Sequence, residues 1–454
     1  MVNGILNFNL HTMGKTLLLL VWNLLIFQAA FSQLSPLITC WHINTTDTGF
    51  ADALTNVQQV NYSSTYVYVK TEDIPSWIPV MYDWPNNPWF AVPMNYQFRF
   101  RLNPTPNVGL ETLTGYGHIG LWKNGCSIYN PKDAKSYQDS SVWFQNAWFW
   151  EHLIAETFDS CIGHPNGSGE YHTHVSPACL YDITDSMQVS PLIGYAFDNY
   201  PIYGGYGYAN PLDTTSAIKR LKSSYRLRNI TDRTTLPDGT VLPPSKYGPP
   251  IDTNTTSLDP LDDSPVAAPL GAYMEDYEYV PGLGDLDQHN GRFCITRDYP
   301  NGIYAYFTTL DWVTDHYDRS IKPVFPFVIG TAYYGEVYPA DGNTGPNSGF
   351  VVISEPVTPY YGTTTSVSEV VRPLNISIYP NPTSGVLNID TRGIEETGVL
   401  QCMIYDSKGA LVNELTLQSN AVNTMDGQHL LNGVYFVRIQ TASQSKNFKL
   451  IVNK

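Results

Sequence analysis

The chain reads as a mainly β protein in two parts: a β-rich body with few helices, followed by a small Ig-like β-sandwich. Three observations predict this. Tyr (32), Trp (10), Pro (33) and Gly (34) are abundant, a mixture of strand formers and turn formers. Segments such as Ser64–Lys70, Gln97–Leu102 and Gly302–Thr308 alternate in polarity or read as buried strands. Beyond residue 375 short strands recur at regular spacing: ISIYP, VLNID, LQCMIYD, GVYFVRIQ and FKLIV. Turn signals such as Asp406-Ser407-Lys408-Gly409 and Asn432-Gly433 separate them, the pattern of a small sandwich.

Taken in order, the chain begins with a leader. Thr16 to Phe31 is apolar, follows Lys15, and ends at Ala30-Phe31-Ser32, where small residues suit a signal peptidase. Residues 1–32 are therefore expected to be a signal peptide, with Met13 as an alternative start to Met1. The apolar run is too short and wrongly flanked for a membrane span, and no later run approaches about 18 apolar residues. The mature chain is expected to be exported, soluble and free of transmembrane segments. The body occupies 33–355. Its helical signals are Ser141–Phe158 and Thr215–Ser223. Residues 229–270, rich in Pro, Asp and Thr, read as a long irregular excursion, which inside a domain is usually functional or mobile. A Ser/Thr-rich linker follows at 356–374, and 375–454 form the C-terminal domain.

Net charge is −16. It repels phosphate backbones and anionic lipid, which excludes nucleic-acid binding and membrane adhesion. Abundant Asp suits cations and equally suits plain solubility. Export places the six cysteines in an oxidising setting. Cys161 and Cys179 bracket one compact loop and are the first expected pair. Cys126 with Cys294 is the second, leaving Cys40 and Cys402 free.

Residues 161–179, CIGHPNGSGEYHTHVSPAC, carry the chemistry. A strand over Tyr171–Val175 places His172 and His174 on one face. The PNGSG segment has the turn residues to bring His164 back beside His172. Three imidazoles with an open fourth position suit zinc, and also copper or non-haem iron. The competing reading is a structural turn with the rings bonded to backbone. In LDQHNGR, His289 is a candidate fourth ligand or general base. Asp287 there is a ligand or an orienter of a ligating imidazole, or else part of an Asx-turn. Asp198 lies among Tyr195, Tyr200 and Tyr203, where desolvation would raise its pKa and suit acid catalysis. Aromatic packing around a turn explains it equally. The aromatics also offer a stacking platform for sugar rings. His118 ranks last as a cleft residue. Helix packing accounts for Glu151 and His152. No GxSxG elbow, HExxH helix, P-loop, dinucleotide fingerprint or calcium loop is present.

Two resemblances follow from motifs. Tyr379-Pro380-Asn381-Pro382-Thr383-Ser384-Gly385, Ile404-Tyr405-Asp406 with Gly409, Leu431-Asn432-Gly433-Val434-Tyr435 and the final Phe448–Lys454 resemble the C-terminal sorting domain of the type IX (Por) secretion system. That implies export through the secretion machinery and surface attachment or release. Tyr171-His172-Thr173-His174, with Gly163-His164-Pro165, Gly194–Gly204, Glu275-Asp276-Tyr277, Leu286–Cys294 and Tyr299–Phe307, resembles the YHYH family over about 90–335. Thr173 stands where the family motif has Tyr, at a position that points away from the histidines. The resemblance implies a YHYH-type body and leaves the reaction open. The expectation is a secreted cell-surface protein with a His-lined metal site (His164, His172, His174, His289 and Asp287) for a divalent transition metal, zinc or copper. Asp198 and His289 would serve in a metal-dependent enzyme acting on an extracellular substrate. The alternatives are a glycan-binding or adhesion module and a metal-capture protein.

Overall fold

The computed structural model describes residues 34–78, 82, 84, 86–183, 185–251, 257–258, 265–266, 268–312, 321–345, 348–362, 376–392, 399–406, 410–440 and 445–454. The expected leader and most of the expected linker lie outside them. The chain divides into two compact units, 1–363 and 364–454.

The first unit is organised by an eight-stranded sheet. Its spatial order is Gly291–Cys294, Ile303–Phe307, Pro201–Tyr203, Leu192–Ala196, His118–Trp122, Ser127–Tyr129, Tyr171–Thr173 and His164–Pro165. Neighbours are antiparallel except Pro201–Tyr203 with Ile303–Phe307 and Ser127–Tyr129 with Tyr171–Thr173, which are parallel. Alternation along each strand fills a different core on each face. Ile193, Ala196, Ile202, Tyr304 and Tyr306 enter one core with Trp122 and Ile128. Tyr195, Tyr203, Ala305 and Phe307 enter the other with Leu121. The second core is closed by Val57, Val60, Val67, Val69, Phe98 and Phe100. These belong to a four-stranded sheet ordered Thr358–Tyr360, Val57–Tyr62, Tyr66–Thr71 and Tyr96–Arg101. Because both faces are covered, central strands such as His118–Trp122 and Leu192–Ala196 are buried throughout. Their backbones approach closely at Gly194, where a Cβ would lie 2.6 Å from the Leu121 carbonyl oxygen.

Both expected helices are corrected. Within 141–158 a strand, Phe144–Asn146, precedes a seven-residue π-helix, Trp148–Ile154. Trp143 and Trp150 are pulled into a small separate core with Leu242, Ala268, Ala272 and Tyr273, and Trp150 Nε1 donates to the Ala272 carbonyl at 2.7 Å. Within 215–223, Ile218–Arg220 is a strand on the edge of Tyr206–Tyr208. Ser216 closes a turn on Asp213, its Oγ 2.7 Å from the Asp213 carbonyl, so the helix start never forms. Tertiary pairing overrides a weak helical preference at both places.

The described part of the 229–270 excursion is fastened by Arg233, which is 1 % exposed. Its guanidinium donates to Asp276 at 2.8 and 2.9 Å, to the Pro249 carbonyl at 3.0 Å and to the Ala268 carbonyl at 3.0 Å. Cys161 and Cys179 form a disulfide. The Cys126–Cys294 pairing is corrected: both thiols are free and lie in cores on opposite faces of the main sheet. Cys40 and Cys402 are also free.

The second unit is a sandwich of a three-stranded sheet (Ser377–Tyr379, Val386–Asp390, Val422–Asp426) and a four-stranded one (Leu411–Gln418, Val399–Tyr405, Gly433–Gln440, Ser445–Val452). Leu387, Ile389, Leu400, Ile404, Val437 and Leu450 meet between them. Asn381 clamps the last strand, donating to the Lys449 carbonyl at 2.7 Å and accepting from Ile451 N–H at 2.9 Å.

Removing one partner of a buried ion pair strands the other charge. Arg233→Met is therefore expected to cost about 3–5 kcal/mol, read as a lowered urea midpoint with unchanged slope.

Candidate metal centre

The site is built on a hairpin at the end of the main sheet. Asn166 N–H donates to the Glu170 carbonyl at 3.0 Å and Gly169 N–H to the Asn166 carbonyl at 2.9 Å. Gly169 has φ +84°, and a Cβ there would lie 2.6 Å from Val92 Cγ2, so glycine is required. The turn sets the register His164 opposite His172. Alternation then sorts the strand. Tyr171 enters the first core, and Thr173 accepts from Trp122 Nε1 at 2.8 Å. His172 and His174 fall on the other face. Thr173 thus points away from the histidines.

The ring nitrogens of His164, His172 and His174 converge, one ligand atom from each lying within 4.8 Å of the others. All three side chains are buried. Their outward nitrogens are engaged. His172 Nδ1 lies 3.2 Å from the Glu170 carbonyl and His174 Nδ1 2.7 Å from the Asn130 carbonyl. His164 Nδ1 lies 2.9 Å from Thr157 Oγ1. A carbonyl only accepts, so His172 and His174 carry their protons on Nδ1 and turn Nε2 lone pairs inward. Those two Nε2 atoms are 3.1 Å apart.

A fourth group joins them. Glu151 Oε2 lies 3.1 Å from His174 Nε2 and 3.6 Å from His164 Nε2. Helix packing alone, the sequence expectation, does not describe it. The wide π-helical turn, a feature frequent at functional sites, carries Glu151 to the histidines. His152 does pack, its ring 4.2 Å from that of Trp148. His164 Nε2 is buried and has no hydrogen-bond partner, and Glu151 Oε2 has only the His174 ring within 3.1 Å.

The electrostatics agree with a nitrogen-lined, mostly neutral cluster. Burial pushes His164 down to about 4 against the pull of Glu151. His172 is pushed down by burial and by its two neighbours. Burial acts against His174 as well, but Glu151 outweighs it and raises the value. Glu151 resists its own burial and is held low by His164 and His174. The cluster opens on a cavity of about 390 Å³ whose wall includes Trp89, Tyr116, Lys132 and Asp133.

A second layer fixes the hairpin. The Tyr129 ring stacks on His172 at 3.9 Å and its hydroxyl donates to Glu170 at 2.8 Å. His118 pairs with the other Glu170 oxygen and meets Ser348 Oγ at 2.8 Å through Nδ1. His118 therefore braces the ligand strand rather than lining the cleft. Asp159 accepts from Cys161 N–H at 2.8 Å, Gly163 N–H at 3.0 Å and Tyr171 hydroxyl at 2.9 Å, tying the disulfide loop to the hairpin.

The other candidates lie elsewhere. Asp287 and His289 are outside the ligand group found among the described residues. Asp287 accepts from His289 N–H at 2.9 Å, Gly291 N–H at 3.1 Å and Tyr304 hydroxyl at 2.8 Å, the Asx-turn arrangement. His289 Nδ1 meets the Ala332 carbonyl at 3.0 Å. Asp198 is fully buried and accepts from the Tyr306 hydroxyl and from Gly335 N–H at 2.8 Å. These three assemble with Tyr304, Tyr306 and Tyr334 as a separate, tyrosine-capped cluster: Tyr304 and Tyr334 stack at 3.5 Å, and His289 meets Tyr334 edge-on at 5.9 Å.

Burial pushes Asp198 up to about 6. A raised folded-state value means stability that is complete below the ordinary aspartate range near 4 and lost as pH rises through about 6. Relative to the parent, Asp198→Asn is expected to gain on the order of 2–3 kcal/mol between pH 4 and pH 7.5, measured as the pH dependence of the difference in unfolding free energy.

Residues 97–317 match the family described as YHYH protein, and residues 377–453 match the secretion system C-terminal sorting domain. A search of curated proteins finds no match. Among the described residues no helix is long and apolar enough to cross a membrane. The tail marks the protein for type IX secretion, to the cell surface or into the medium, and implies contact with that machinery. The chain carries a YHYH domain followed by a C-terminal sorting domain of the type IX secretion system.

Proposed function

We propose that this secreted protein holds one divalent transition metal, zinc or copper, between His164, His172 and His174, with Glu151 beside it. One observation carries the reading: the backbone carbonyls of Glu170 and Asn130 fix two imidazoles with their Nε2 lone pairs facing each other at 3.1 Å. Facing lone pairs repel unless a proton or a cation lies between them. The buried, unpartnered His164 Nε2 points to the same need. Three imidazole nitrogens with a fourth position open suit zinc or copper. Carbonyl-bonded Nδ1–H groups are the usual support of metal-ligating histidines.

The cavity beside the cluster favours an enzyme, a metal-dependent hydrolase acting on extracellular material. A bound cation would supply Lewis acidity to an oxygen reaching its open side. Glu151, partly exposed to the cavity, is placed to take a proton there. Asp198, Asp287 and His289 have no part in this reading, since their side chains are spent in their own cluster.

A second reading, glycan binding without turnover, is favoured by Trp89 and Tyr116. They are 50 % and 53 % exposed and line the same cavity. Polysaccharide binding that survives both a chelator and replacement of His172 and His174 would support it.

Elemental analysis of protein grown in defined metals is expected to give one zinc or copper per chain. His172→Ala with His174→Ala should abolish it, weakening affinity beyond the ~10–100-fold typical of outer-layer changes. Unchanged metal content in that variant would sink the proposal. Glu151→Gln is expected to keep the metal and to lower turnover of a responsive ester or glycoside by ~10²-fold or more. Loss of the metal instead would make Glu151 a ligand.

A further inference from the structure

A cavity of about 440 Å³, larger than the one beside the histidines, shares no wall residue with it. It lies against the Gly291–Cys294, Pro201–Tyr203 and Tyr206–Tyr208 strands. Its volume is that of an ordinary small-molecule site. Part of the wall is apolar or aromatic, with Leu192, Phe307, Tyr203 and Tyr206. Charged residues also line it, Lys123, Arg292 and Arg297 together with Asp182, Asp185 and Asp298.

No contact ion pair joins these cations and acids among the described residues. Asp298 accepts from the Tyr203 hydroxyl at 3.0 Å and Asp185 from Met187 N–H at 2.9 Å. Asp182 has a partner of its own. Lys123 is anchored through its backbone N–H, 2.7 Å from the Ile193 carbonyl. Its ammonium makes no ion pair among the described residues. Arg292 donates through Nη2 to the Tyr208 carbonyl at 2.7 Å and lies over the Phe307 ring at 5.4 Å, with the Cys294 thiol as a neighbour. Its Nε is buried with no hydrogen-bond partner. Burial pulls both cations below their usual range. Asp298 attracts Lys123 and Asp285 attracts Arg292, but neither pair is in direct contact among the described residues. A half-desolvated cation with no carboxylate in contact is unfavourable, and two of them line this one cavity.

We propose that this cavity binds a small aromatic carboxylate, its anion held by Lys123 and Arg292 and its ring against Tyr203, Tyr206 and Phe307. The apolar share of the wall favours an organic acid over a bare inorganic anion. The acids of the rim and the overall charge disfavour a polyanion.

Calorimetry of the mature chain with 4-hydroxybenzoate tests this, with 4-hydroxybenzamide as the neutral twin. Saturable binding is expected, with the acid at least about tenfold tighter than the amide. Lys123→Gln and Arg292→Gln should each weaken the acid about tenfold or more and leave the amide unchanged. Arg292→Gln also loses its bond to Tyr208, so Lys123→Gln carries the test if that variant misfolds. His172→Ala with His174→Ala should bind the acid normally, which separates this site from the metal reading. Equal binding of acid and amide, wild-type affinity in Lys123→Gln, no saturation by about 10 mM, or displacement by equimolar chloride would each overturn it.

Discussion

Side-chain alternation across the main sheet is the constraint on which the rest depends. Each strand that fills both cores must send successive residues to opposite faces. In the hairpin at the sheet's end the rule leaves no freedom. Tyr171 and Thr173 are claimed by the core and by the Trp122 indole, so His172 and His174 must emerge together on the other side. A slip of one residue would bury the imidazoles in the apolar core and expose Tyr171. Core packing therefore fixes the geometry of the histidine cluster before any metal is considered.

Several buried charged groups elsewhere in this unit find partners, while single atoms such as Asn56 Oδ1, Gln145 Oε1 and Arg292 Nε do not. Arg233 meets a carboxylate and several carbonyls, and Glu170 meets His118, Tyr129 and Tyr96. Asp198 is satisfied by a hydroxyl and backbone amides. Full satisfaction is the norm for buried polar side chains. The unpartnered His164 Nε2 departs from that norm at the place where three imidazoles converge, and the proposed cation would satisfy it.

Much of this was legible in the residues themselves. The period-two placement of His172 and His174, the PNGSG reversal, the Cys161–Cys179 pair and the C-terminal sandwich all follow from local patterns that need no distant contact. Glu151 did not. It lies in an aromatic run whose apolar residues mimic an ordinary amphipathic helix. The segment instead forms a strand and a short π-helix, Trp148–Ile154. No spacing rule links Glu151 to His174, 23 positions later. A hint existed: a carboxylate in an otherwise apolar aromatic segment requires a buried partner.

Asp198, Asp287 and His289 mark the opposite limit. Their residue types suit catalysis, and turns do carry functional groups, but their partners are tyrosines on strands about a hundred residues away or less, or neighbouring amides. The sequence by itself determined the mainly β architecture, the hairpin, the direction of its histidines and the secretion tail, because periodicity and turn chemistry act over a few residues. Only the tertiary structure decided which acid faces the histidines, which candidates form a separate cluster, and where cations line a cavity. Those outcomes depend on how strands far apart in the chain pack and on which buried charges find partners.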